Sequence, residues 1–111
     1  MDKKNSALTI KIISSIDKIL EYIGSSSKED FLKSSILIEA CVFNLLQIGE
    51  IASRFDESFR DGHKNIPWHK VRGLRNRLVH DYEGVNLELV WDIIEGDLKA
   101  LREQFNDISR A

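Results

Sequence analysis

Apolar residues recur at three- and four-residue spacing along most of the chain, the pattern of helices that bury one face. From about Ala7 to Ile23 the spacing is kept by Ile12, Ile13, Ile16, Ile19, Leu20 and Ile23, and Gly24 with the serines of "GSSSKED" ends the run. Ser27 in that loop suits the cap of a second helix, with Glu29 and Asp30 in its first turn. The second helix is expected from about Lys28 to Arg54. Phe31, Ile38, Cys41, Val42, Leu45, Ile48 and Ala52 form one stripe on it, and Ile36, Leu37, Phe43, Leu46 and Ile51 widen that stripe well past one face. Such a helix is expected to bury two sides, and in a short chain the second side could be covered by another subunit. A third, shorter helix runs from about Pro67, which suits a first turn, to Val79; "FDESFRDGHKN" before it reads as a helical turn or loop. The fourth runs from about Leu87 to Ile108, capped by Asn86, with Val90, Ile94, Leu98, Leu101, Phe105 and Ile108 in register. Gly96 costs that helix roughly 1 kcal/mol against alanine without breaking the pattern.

Four helices with short connections predict an all-α fold, an up-and-down antiparallel bundle in a single domain over residues 1–111. Composition agrees: 42% of residues are hydrophobic and 31% charged, enough for a core and too balanced for disorder. One proline and six glycines leave few internal breaks. Cys41 is the single cysteine and lies in an apolar run, where it reads as a small core residue. No signal segment opens the chain and no apolar run approaches the ~20 residues of a membrane span, so the expectation is a cytoplasmic protein with no membrane partner.

The net charge of −2 argues against nucleic-acid binding only when taken globally. From Arg60 to His80 there are six Lys/Arg against one acid, a local charge of +5, before His63, His69 and His80 are added. A segment like that attracts a polyanion locally. On an ideal wheel with Trp68 at zero, Val79, Val71, Leu78 and Leu74 mark the core face of the third helix, and Arg75 falls at about 340°, inside that arc. A buried guanidinium needs acceptors, and its planar fork suits phosphate or carboxylate. Arg72, Asn76 and His80 form a polar strip beside the core face. His80 lies about 140° from Arg75, so the two meet only if the helix unwinds near His80 or across a two-fold axis. A purely structural account stays open: Arg75 paired with Glu50, His80 at a helix C-terminus, Tyr82 packing with a wet hydroxyl.

The stretch "RNRLVHDY" carries Arg, four residues, His, one residue, Tyr, as Arg75, His80 and Tyr82. In this it resembles HepT-like proteins of the HEPN superfamily. "IPWHKVRGLRNRLVHDYEGVNLELVWDII" is similar to that family's Trp, Arg-Asn, Val-His-Asp-Tyr and Val-Trp progression, and "QIGEIA" resembles its Ile-Gly-Glu segment. The resemblance implies a helical bundle that dimerises, with the Arg and His of two subunits lining a shared cleft. It implies a metal-independent endoribonuclease, the toxin of a toxin–antitoxin pair. The antitoxin it implies is a nucleotidyltransferase of the MntA kind, which transfers AMP to the tyrosine, here Tyr82. The residues suit that chemistry. His80, with an ordinary pKa of about 6.5, can serve as base or acid. Arg75 can neutralise transition-state charge. Asn76 could orient the phosphate or His80, and Arg72, Lys70 and Arg77 could attract the RNA backbone. No metal or other cofactor is expected: His63 and His69 form no metal set, and there is no glycine-rich phosphate loop. Trp68 and Trp91 read as core anchors. Two alternatives remain, a non-catalytic docking or nucleotide-binding partner subunit of a nucleotidyltransferase, and a plain structural module.

Overall fold

A computed structural model describes residues 1–80 and 84–110, with the description of His80 confined to its backbone. The fold is all-α apart from one short ladder. Helix α1 (Lys3–Ile23) starts four residues before the apolar periodicity does, because Asp2 caps it by accepting from the Asn5 N–H at 2.8 Å. It ends at Gly24, whose φ of 50° is the left-handed conformation that glycine adopts without strain.

The expected second helix is two. Helix α2 (Lys28–Lys33) opens on a reciprocal capping box between Ser27 and Asp30. Ser34 is extended and its hydroxyl caps the next helix, α3 (Ser35–Ala52), at the Leu37 N–H. A one-turn helix, α4 (Glu57–Asp61), occupies the segment expected to be a helical turn or loop. The expected third helix divides at Gly73 into α5 (Trp68–Arg72) and α6 (Leu74–Leu78). The chain then enters a two-residue strand, β1 (Val79–His80), paired antiparallel with β2 (Gly84–Val85). Asn86 caps α7 (Leu87–Gly96) as expected, and the chain turns at Asp97 into α8 (Leu98–Arg110).

The four sequence-level helices are thus α1, α2 with α3, α5 with α6, and α7 with α8, in an up-and-down order. The Lys4–Asp56 ion pair joins the start of α1 to the chain just beyond α3, as antiparallel neighbours require. Arg102 of α8 grips the Asp17 carboxylate of α1 with both Nε and Nη2. The core runs through Ile12, Ile16, Ile19, Leu45, Ile48, Leu78, Val90, Ile94, Leu98 and Phe105. Trp68 anchors one end of it, against Phe55 and Phe105 at centroid distances of 5.1 and 5.6 Å, with its indole N–H on the His63 carbonyl. Trp91 is half-buried against Phe31.

Helix α3 corrects one expectation. Its 18 residues are long and apolar enough to cross a membrane by length and composition. Here it is the central helix, packed on α1, α5 and α6 along one side. Its other side stays open within the single chain, with Ile36 81% and Phe43 60% exposed.

Candidate functional site

Short helices α5 and α6 hold four of the six Lys/Arg of the basic segment, and their break at Gly73 decides where those residues point. Gly73 sits at φ −89° and ψ 10°, so α6 restarts with its own phase. Leu74 and Leu78, four apart, turn to the core. Arg75, one position on from Leu74, is therefore exposed, not buried in the core arc as an unbroken wheel predicts. The paradox of a guanidinium on an apolar face disappears.

Arg72, Arg75 and Asn76 share one open groove of about 540 Å³ against α3, lined there by Gln47, Gly49 and Glu50. Beside the groove, α5 and α6 cross α3 closely because α3 carries glycine at the crossing. A Cβ at Gly49 would stand 3.1 Å from the Val71 carbonyl oxygen and 3.4 Å from the Leu74 Cβ. The "QIGEIA" segment thus supplies both the close approach, through Gly49, and an acidic wall, through Glu50. Glu50 is the groove residue that the sequence argument used only as a partner for Arg75. Its ion pair is instead with Arg54, at 3.7 Å.

Lys70 and Arg77 are not in this groove. They line a different concavity, between α5–α6 and the α7–α8 junction at Gly96 and Asp97. The six basic and polar site candidates therefore divide: Arg72, Arg75 and Asn76 face α3, whereas Lys70 and Arg77 border the opposite side. His80 is the sixth, and its backbone shows how it leaves the strip. Val79 has φ −108° and ψ 120°, so the helix unwinds one residue before His80, and His80 pairs with Gly84 in the ladder. Unwinding near His80 is one of the two routes by which the sequence allows His80 and Arg75 to meet, the other being a two-fold axis. The Asn86 N–H, bonded to the Leu78 carbonyl at 2.8 Å, ties the returning chain to the end of α6. Tyr82 lies outside the described residues.

Electrostatically the segment is distinct. Ion pairs among the described residues take up Lys4, Lys28, Lys33, Arg54, Arg102 and Arg110. None involves the six cations between Arg60 and Arg77. Among the described residues these six are therefore without an ion-pair partner. Among the described residues, no group of three His, Cys, Asp or Glu stands together as a metal site.

The profile of a family described as ribonuclease HepT-like matches residues 12–108. A candidate RNase of Caldanaerobacter subterraneus subsp. tengcongensis is 33% identical over 97 residues, 87% of each chain. A candidate RNase of Methanocaldococcus jannaschii is 30% identical over 113 residues, 97% of this chain and 93% of that one. A Thermococcus cleftensis protein named "Probable ribonuclease HepT" is 28% identical over 99 residues, 89% of this chain and 90% of that one. No solved structure matches the chain with significance.

Proposed function

The chain belongs to the ribonuclease HepT-like family, and from that premise we propose that it is a metal-independent endoribonuclease acting as the toxin of a toxin–antitoxin pair. The observation that carries the reading is the groove: Arg72, Arg75 and Asn76 stand open together beside the point where the backbone unwinds into His80. RNA brings its own nucleophile. A base removes the 2′-OH proton, the 2′-oxygen attacks the adjacent phosphorus, and the bond to the 5′-oxygen breaks as an acid protonates it. The products are a 2′,3′-cyclic phosphate and a 5′-hydroxyl. His80 serves as base or acid, and a homodimer supplies one histidine for each role. Arg75 neutralises the charge that builds on the pentacoordinate phosphorus, and Asn76 holds a phosphate oxygen or His80 itself. Arg72 draws the strand into the groove from the α3 side, and Lys70 and Arg77 act on its backbone from the other side.

The regulatory part of the proposal concerns Tyr82 and a nucleotidyltransferase antitoxin. The phenol oxygen attacks the α-phosphate of ATP, the bond to the β-phosphate breaks, and pyrophosphate leaves. AMP two residues from His80 adds bulk and negative charge beside a basic groove, which opposes RNA on both counts.

The decisive experiment is RNA cleavage by the purified chain in excess EDTA, beside a folded His80→Ala variant. The expected result is cleavage by the first, ending in cyclic phosphate, and none by the second. Absence of cleavage by either over a broad RNA panel, with Tyr82 unmodified by mass, would replace this reading with a non-catalytic partner subunit of the nucleotidyltransferase.

A further inference from the structure

A second basic concavity adjoins the groove. It lies between α4 and α5, has a volume of about 540 Å³, and is walled by Arg60, Lys64, His69, Lys70 and Arg72, with Asp61 as its one acid. Lys64, His69, Lys70 and Arg72 are exposed. Arg60 is half-buried, with Nη1 held by the carbonyl oxygen of Phe55 just before α4. Four full positive charges against one negative leave a net +3 on this wall, with His69 in addition. None of the four enters an ion pair among the described residues. Elsewhere on the molecule, six of the twelve Lys/Arg are so paired. Unneutralised charge is therefore concentrated here.

Two features give the concavity a direction. Arg72 lines both it and the Arg75 groove, so the two are continuous through one side chain. Its floor is rigid, because Trp68 is fixed in the aromatic cluster and the preceding loop is tied down by the Gln104 amide on the Asn65 carbonyl at 2.9 Å. A strand crossing the Arg75 groove and leaving past Arg72 runs into this basin.

We infer that the α4–α5 basin is an RNA exosite: Arg60, Lys64 and His69 hold backbone phosphates of the same strand away from the bond being cut. The inference rests on the ribonuclease reading for its choice of polyanion. It goes beyond that reading in assigning Arg60, Lys64 and His69, and in making affinity depend on RNA length. A tetranucleotide that fills only the Arg75 groove gains nothing from the basin, whereas a strand of a dozen nucleotides reaches it.

The test uses the full chain and RNA oligonucleotides of 4, 8 and 16 nucleotides, 2′-O-methylated throughout so that binding is read without cleavage. Affinity is measured between 50 and 200 mM salt for the wild type, Lys64→Ala, Lys64→Ala/His69→Ala, and Lys99→Ala as an exposed cation outside the basin. Each single-strand phosphate contact contributes about 0.7 to the log–log salt slope, so losing one at ~0.1 M salt weakens binding about 5-fold. The expected result is that loss for Lys64→Ala on the 16-mer, a further loss for the double variant, and neither on the 4-mer. Equal losses on 4- and 16-mer, or an equal loss in Lys99→Ala, would overturn the exosite. So would unchanged RNA affinity with lost binding to the nucleotidyltransferase, which would make the basin a protein dock. Cleavage of ordinary RNA by the wild type is scored separately. Cleavage without the length effect removes the exosite alone; the length effect without cleavage removes the ribonuclease reading and leaves the basin standing.

Discussion

A single buried thiol makes a measurable statement about stability. Cys41 is fully buried on α3, and burial pushes its thiol up to about 11. In the unfolded chain the same thiol ionises near its ordinary value of about 8.5. Between these two values the unfolded state releases a proton that the folded state keeps, so folding stability falls as pH rises through that window. Below it the two states hold the same proton and the term vanishes. The slope reaches at most about 1.4 kcal/mol per pH unit for one proton. Urea unfolding at pH 8.5 and 10.5, compared between wild type and Cys41→Ala, should show a smaller alkaline loss in the variant despite its lower stability at pH 8.5. Equal losses would mean that the thiol is not protected. The same protonated, enclosed sulfur should resist alkylation in the native protein at neutral pH and react on unfolding.

Among elements, the close crossing of α3 with α5 and α6 is where sequence and site meet. Alanine at position 49 gains up to about 1 kcal/mol of helix propensity. It also sets a Cβ 3.1 Å from a backbone carbonyl of α5, which cannot swing aside as a side-chain tip can. Overpacking of that kind costs about 1–3 kcal/mol. Gly49→Ala should therefore lower the melting temperature by a few degrees and reduce RNA cleavage by more than the unfolded fraction explains, because α5 and α6 carry Arg72, Arg75 and Asn76. A melting temperature at or above wild type would show that the crossing has room. The caps at Ser27 and Asn86 were legible in the sequence, because a hydroxyl or amide before an apolar run has one local job. The breaks at Ser34 and Gly73 were not. Apolar spacing continues across both, and periodicity cannot register a change of phase that the next turn absorbs. That is why Arg75 read as core-facing and proved exposed. The short ladder at Val79–His80 was equally silent, since two residues of strand carry no period.

At the scale of the molecule, one side of α3 remains unexplained by the single chain. Ile36, Phe43 and Glu50 are seven apart and all exposed, so they fall along one line of the helix. Ile10 of α1, 66% exposed, joins Phe43 in the same shallow concavity. Exposed Ile36, Phe43 and Ile10 on a face that reaches the Arg75 groove at Glu50 suit a self-complementary interface, and homodimers are most often two-fold. Phe43 lies at the middle of α3, so a two-fold axis there buries Phe43 against its own copy. If the axis runs along α3, the two Arg75 grooves stand side by side and can share a strand of RNA between two histidines. If it runs across α3, the grooves are carried to opposite ends. If the chain forms the proposed homodimer through this face, Phe43→Glu should convert it to a monomer by sedimentation while circular dichroism keeps its helical signal, and RNA cleavage should fall with it. A dimer that survives the substitution would move the interface elsewhere. A monomeric variant that cleaves as well as the wild type would mean that each chain completes its own site, with one histidine serving alone.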